Sequence, residues 1–397
     1  MNRLNHRYDV LVVGAGPIGI YASLKLAAEG LRVLVVEEDA QIGKPRFCTG
    51  LISQEAFEEF HLPNKAIENE FRSFCVFSPS GLKLHLKDKT SIYATDRTVF
   101  DQSLYRLAKD AGVEFLLKCR CGMLKINNDG IEARVVFEER ETIINAAVGI
   151  LATGVKYALH KDVGFSLPPN FLDSSQAQVD GESGREIEIY LGNIVAPHSF
   201  AWVVPLKKNQ LRIGLGTHRN SPIFLKSLLK KLRSQGRLKG GDFNIKRRLI
   251  PLGTIKNTYT DRILAVGDAA GQVKPTTGGG IYFGLLCADL AAKTVISAFK
   301  KNNFSKDFLR RYEVGWRKSI EFDLTMGLYL RKLVAKIDDA QMEELFGLCS
   351  QDSIRELIEK YWDFNHHGKF INKLIKRPEF WKGIYQMFTV KPGLDKI

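Results

Sequence analysis

The 397-residue sequence predicts an α/β fold that opens with a Rossmann-type nucleotide-binding domain, and three stretches predict it. From Tyr8 to Glu37 an apolar strand runs into Gly14-x-Gly16-x-x-Gly19, then a helix, then a second apolar strand ending in an acid. Ala147-Val-Gly-Ile-Leu-Ala-Thr-Gly154 is another apolar strand, closed by Ala-Thr-Gly. Arg262-Ile-Leu-Ala-Val-Gly-Asp268-Ala-Ala-Gly271 is a further one, and it enters Pro275-Thr-Thr-Gly-Gly-Gly280-Ile281 and a helix. Continuous apolar strands bounded by glycine turns are what a parallel sheet buried on both faces requires.

The first stretch carries the most specific signal. Gly14 allows a tight turn, Gly16 lets backbone approach a pyrophosphate, and Gly19 permits close helix–strand packing. The helix that follows has Ile20, Leu24 and Ala27 on one side and is ended by Gly30. Its N-terminus faces the phosphate. Glu37, ending the second strand, is placed to accept hydrogen bonds from a ribose diol. The spacing alone suits either NAD or FAD.

Composition bounds the rest. Apolar residues make up 45% and charged residues 26%, ordinary for a soluble globular chain of two or three folding units. The net charge of +14 suits anionic cofactors, anionic lipid surfaces or simply a solvated basic exterior. No recognition motif points to nucleic acid, so no nucleic-acid partner is expected. The cysteines are Cys48, Cys75, Cys119, Cys121, Cys287 and Cys349, with no C-x-x-C pair. Cys119 and Cys121 alternate as in a strand without an accompanying histidine cluster, so no metal site is expected. Free thiols suit a reduced cytoplasmic protein. No apolar run reaches the roughly 18 residues of a membrane span without a charge or glycine turn. Asp9 and the ordered glycines argue against a signal peptide in MNRLNHRYDVLVVGAGPIGIYASL.

The Gly-Asp-Ala-Ala segment at 267–270 resembles the second FAD fingerprint of the glutathione-reductase and aromatic-hydroxylase flavoproteins. Four further segments are similar to the geranylgeranyl reductase family of FAD-dependent oxidoreductases. They are Lys44-Pro-Arg-Phe-Cys48-Thr-Gly-Leu-Ile-Ser53, Asp96-Arg97-Thr-Val-Phe-Asp101-Gln-Ser-Leu104, Pro197-His-Ser-Phe200-Ala-Trp202-Val-Val-Pro205 and Pro275-Thr-Thr-Gly-Gly-Gly-Ile281. The resemblance covers roughly residues 8–320. It implies a discontinuous Rossmann-type FAD-binding domain of the glutathione-reductase/aromatic-hydroxylase type (1–60, 95–160 and 250–300). It also implies an inserted mixed β-sheet substrate domain (61–94 and 161–249) and a C-terminal helical region (301–397).

Carried over residue by residue, the resemblance places FAD against Gly14, Gly16, Gly19, Glu37, Cys48, Thr49, Arg97, Cys121, Asp268, Gly279, Gly280 and Ile281. Cys48 is the candidate proton donor, with water as the alternative. Phe200, Trp202 and Pro205 are expected to line an apolar channel for substrate. The implied reaction is saturation of C=C bonds in isoprenoid lipids, with electrons from NADPH or a ferredoxin-like carrier. Two departures stand out: Phe200 replaces the family's tyrosine and Val204 its phenylalanine, removing a hydroxyl. A flavin-dependent monooxygenase or halogenase is the alternative, but the strand near 150 lacks the Asp-Gly pair of aromatic hydroxylases. A non-catalytic flavin or lipid carrier is a third reading.

In the tail, Phe308, Tyr312, Trp316 and Ile320 recur at four-residue steps, and helical patterns continue over 342–362 and 364–387. Arginines and lysines are interleaved. Core packing beneath a solvated basic face explains this pattern; peripheral contact with the inner face of the cell membrane is the sharper reading.

Overall fold

The computed structural model describes residues 7–45, 47–182 and 184–381. The hexapeptide before Arg7, Arg46 of the cysteine-containing segment, and residues 382–387 at the end of the last helical pattern lie outside the described residues. The chain forms two compact units, one of Met1–Ile67, Thr95–Phe171 and Ile250–Leu324, the other of Glu68–Ala94, Leu172–Leu249 and Thr325–Ile397. The stretch 301–397, expected as a separate helical region, divides between them, with helix Lys306–Val334 running from the first into the second.

In the first unit the sheet order is Tyr259–Thr260, Ile263–Ala265, Arg140–Leu151, Tyr8–Val13, Val33–Val36 and Glu114–Leu116. The strands at its centre are parallel: Val10 pairs with Val33, Val12 with Ile150, and Ile150 with Leu264. Their side chains are buried on both faces, which is why each reads as an unbroken apolar run. Cys119–Ile126 and Ile131–Phe137 extend Arg140–Leu151 as an antiparallel meander. Helix Pro17–Ala27 packs against helix Ile281–Lys301.

By length and composition helix Ile281–Lys301 is apolar enough to cross a membrane, although Gly284, Asp289 and Lys293 interrupt the apolar run. It serves here as a core helix, with Phe283, Leu285, Cys287 and Val295 buried. Phe308, Tyr312, Trp316 and Ile320 are also buried, so the four-residue steps of the tail record core packing.

The second unit is a mixed sheet in the order Lys246–Leu252, Asn170–Asp180, Gln210–Thr217, Ala201–Leu206, Ile187–Tyr190, Ile67–Phe77 and Lys83–Thr95. Ala201–Leu206 and Gln210–Thr217 form a hairpin, with Lys208 and Asn209 at positive φ in the turn. Helix Ser221–Ser234 lays Leu225, Leu228, Leu229 and Leu232 on the face formed by Ala177, Val179, Val203, Leu211, Ile213 and Leu215.

Candidate active site

The three strand ends of the first unit come side by side. The Ala152 amide donates to the Val13 carbonyl at 2.9 Å, and the Val266 amide to the Leu151 carbonyl at 3.0 Å. In open α/β sheets ligands bind outside such carboxyl ends. Gly14 has φ +105°, and a Cβ there would stand 2.4 Å from the Ala152 carbonyl oxygen. A Cβ on Gly19 would stand 2.1 Å from the Gly14 oxygen, so the helix lies directly on the turn. At Gly16 a Cβ would meet nothing within 4 Å, and the outer side of the turn is open. Glu37 braces this turn: its Oε2 accepts from the Ala15 amide at 2.7 Å and its Oε1 from the Asp39 amide at 2.9 Å.

The second glycine run meets the first. A Cβ on Gly267 or Gly284 would press on the Ile18 side chain, at 3.3 and 2.6 Å. The Asp268 carboxylate lies over Gly280, whose Cβ would be 3.1 Å from Oδ1. Gly279 is beside Lys274, with 3.1 Å from a Cβ to Cε. Ile281 begins the helix and is half-buried. Helices Pro17–Ala27 and Ile281–Lys301 both start at a glycine, with no side-chain cap and no acid in the first turn. Their leading amides and positive dipole ends are therefore left for a ligand. Thr153 Oγ1, just past the Arg140–Leu151 strand, is buried without a hydrogen-bond partner among the described residues. An extended cofactor with phosphates and a ring system fits this set.

Cys48, Thr49 and Arg97 also converge. Thr95 donates to the Gly50 carbonyl through both its amide and Oγ1, at 2.9 Å each, and so fixes the loop holding Cys48 and Thr49. Arg97 opens helix Arg97–Asp110, which Asp96 caps through the amides of Thr98 and Val99. The guanidinium gives Nε and Nη2 to Asp101 at 2.9–3.1 Å. Burial works against its charge, but Asp101 and the neighbouring Cys48 outweigh that and hold it protonated. Cys48 Sγ also accepts from the Gly50 amide at 3.4 Å. Arg97 is thus a buried ion pair that touches the candidate thiol.

Cys121 stands apart in character. Its strand is tied to Glu37 through the Cys119 amide, which donates to the Glu37 carbonyl at 2.8 Å. The thiol itself packs against the sheet core, and burial pushes it up to about 12.

Four residues that the sequence did not assign to the site support the second run. Tyr157 Oη donates to the Asp268 carbonyl at 3.0 Å, and fully buried His160 places Nε2 2.8 Å from the Ala269 carbonyl. Gln272 accepts from the Gly267 amide at 2.9 Å and donates to Tyr312 Oη at 2.8 Å. Tyr312 donates in turn to the Ala265 carbonyl at 2.8 Å. Lys274, 5% exposed, is a fifth: a buried lysine inside the loop. A lysine flanked by two turn motifs was the one local signal available.

In the second unit Phe200 and Trp202 share a face, with ring centroids 5.8 Å apart. Gly214 opposite makes room for the indole, since a Cβ there would be 2.4 Å from Cζ2. Pro205 does not join them. The strand pairs without a bulge through Leu206, so strict alternation turns Pro205 to the face of Ala201 and Val203. Nor is the Trp202 face simply apolar. Opposite Val204 it carries fully buried Arg212, bonded to Glu68 at 3.1 Å and to Gln178 at 3.4 Å. A cavity of about 570 Å³ in this unit, lined by Phe77, Tyr190, Lys231 and Arg237 among others, includes none of the expected site residues.

Residues 9–155 match the family of FAD dependent oxidoreductases. A digeranylgeranylglycerophospholipid reductase from Methanocaldococcus jannaschii is 31% identical over 398 residues, covering 96% of this chain and 98% of that protein. Among solved structures, a geranylgeranyl bacteriochlorophyll reductase-like protein from Thermoplasma acidophilum superposes with a TM-score of 0.83 at 22% identity, covering 93% of this chain and 99% of the other. The p-nitrophenol 4-monooxygenase of Pseudomonas putida shares the fold more distantly, with a TM-score of 0.73 at 18% identity over 91% of this chain and 98% of the other. FAD is the cofactor for which the paired turns are built, and the chain belongs to the digeranylgeranylglycerophospholipid reductase family of FAD-dependent oxidoreductases.

Proposed function

We propose that the chain saturates carbon–carbon double bonds of isoprenoid chains in lipids or lipid precursors. The observation that carries this reading is the meeting of two uncapped, glycine-led helices at parallel strand ends, in a chain whose nearly full-length relative is named for that class of reduction. When bound, FAD supplies the hydride for one alkene carbon. Gly14, Gly16 and Gly19 would take its pyrophosphate, with Arg97 alongside; Glu37 and the backbone of the Cys121 strand would take the nucleoside side. Cys48 and Thr49 would line its edge. Asp268 would hold the sugar–phosphate chain, and Gly279, Gly280 and Ile281 would lie against the ring. There the helix amides and Lys274 would stabilise negative charge.

An unactivated alkene is a poor hydride acceptor, so alignment and exclusion of water carry the protein's share of the work. Phe200 and Trp202 would guide the isoprenoid chain, and Cys48 would deliver the proton to the second carbon. A basic surface suits an acidic ferredoxin-like electron carrier, with NADPH as the other donor. Val314 and Phe322 are exposed on the helix that also presents Arg310, Arg311 and Lys318, which supports peripheral contact with anionic lipid.

The test is anaerobic dithionite reduction of the purified protein with geranylgeranyl lipids, followed by mass spectrometry. A gain of two hydrogens per double bond is expected, and unchanged lipid mass across several chain types would sink the reading. Product formed only with oxygen would favour a monooxygenase or halogenase instead. Unaltered turnover in Cys48→Ser would exclude the thiol as proton donor.

A further inference from the structure

Outside the cofactor unit, three side chains with metal-ligating atoms project from one face of the second sheet. Cys75 lies on strand Ile67–Phe77 and pairs in register with Glu188 of the parallel strand Ile187–Tyr190. Glu186, two residues before Glu188, falls on the same side. Lys83 reaches over the Phe77 ring at 5.6 Å, which puts His85, two residues further along its strand, on that side as well. The Cys75 thiol, a His85 ring nitrogen and a Glu186 carboxylate oxygen all lie within 4.8 Å of one another. His85 Nδ1 is 2.8 Å from Glu186 Oε2. The neighbouring Glu188 is taken up by Arg237 in a two-pronged pair at 2.8 and 2.9 Å, so Glu186 is the carboxylate turned to the other two groups.

We propose that Cys75, His85 and Glu186 form a zinc-binding site. A soft thiolate with an imidazole selects zinc over magnesium or calcium, and a carboxylate completes a three-ligand set with a fourth position open to solvent. Thiolate and carboxylate together balance the charge of a divalent cation. Zinc binding to the thiol displaces its proton. The three ligands come from positions 10 and 101 residues apart, so no spacing motif announced them. The proposal is independent of the FAD site, whose residues belong to the other unit.

The test is zinc binding by the purified full-length flavoprotein in competition with a chromophoric chelator, with cadmium as a spectroscopic stand-in. One zinc per chain and a cadmium–thiolate absorption band are expected. Cys75→Ser should remove the band. His85→Ala and Glu186→Gln should weaken zinc about tenfold or more, because losing a ligand costs at least what losing an outer-shell partner does. FAD content should not change. His85 is largely exposed, so its replacement does not threaten the fold. Zinc affinity unchanged in His85→Ala, no cadmium–thiolate band in the unaltered protein, or a stoichiometry well below one would each overturn the proposal.

Discussion

The two glycine runs of the first unit do similar work by different means. Gly14–Gly19 is held by backbone against backbone: any side chain at Gly14 or Gly19 would run into a carbonyl oxygen at 2.4 or 2.1 Å. Gly267–Ile281 is held by side chains: Tyr157 and His160 at Asp268 and Ala269, and Gln272 of the run itself, backed by Tyr312, at Gly267. The first turn is fixed mainly by backbone, its own and that of the neighbouring strand end at Ala152, and the second mainly by side chains. The first should therefore fail abruptly when altered and the second by degrees.

The largest effect is expected from Gly19→Ala. Its Cβ has no room beside the Gly14 oxygen, and overpacking of this kind costs about 1–3 kcal/mol or more. The purified variant should carry almost no FAD, read as flavin absorbance per chain. Tyr312→Phe comes next. It leaves the Ala265 carbonyl and the Gln272 amide without their buried partner, at a cost of about 1–3 kcal/mol in thermal or denaturant unfolding. FAD should still bind, more weakly. A Tyr312→Phe variant that lost FAD as completely as Gly19→Ala would erase the distinction between the turns.

His160 gives a pH-dependent version of the comparison. Burial holds its imidazole below the ordinary value of 6.5, and the bond to the Ala269 carbonyl offsets part of that. The unfolded chain then takes up a proton that the folded chain refuses, so stability falls as pH drops below 6.5. His160→Gln, which keeps a donor for Ala269, should flatten that acid slope in unfolding measurements. An unchanged slope would mean that other groups set it. The smallest structural effect is expected from Trp202→Phe. Trp202 Nε1 has no hydrogen-bond partner among the described residues, so the substitution breaks no hydrogen bond and costs only the volume lost. FAD content should hold while KM for lipid rises. A KM equal to that of the unaltered protein would remove Trp202 from the substrate path.

The same contrast explains what could be read without coordinates. The first turn was legible because strand, glycines, helix and acid are contiguous and each has a local reason. Asp268 and Gly280 were legible as a motif, but their supports were not, since Tyr157, His160 and Tyr312 reach them from 111, 109 and 47 residues away. Two side-chain directions in the second unit follow from strand parity alone. Parity along Phe200-Ala-Trp202-Val-Val-Pro205 already separates Pro205 from the aromatic pair. Alternation along Gln210-Leu-Arg212-Ile-Gly214 already sends Arg212 to the face of Gly214. What alternation could not reveal is that Glu68 and Gln178 are there to receive the guanidinium.

The most direct test of the account is a rapid-mixing experiment in which flavin reduced by dithionite meets a geranylgeranyl lipid in the absence of oxygen. The account predicts return of the oxidised-flavin absorbance in step with the double bonds saturated, one flavin turnover per bond. Reduced flavin that persists beside the lipid under argon, and is oxidised only when air is admitted, would contradict it.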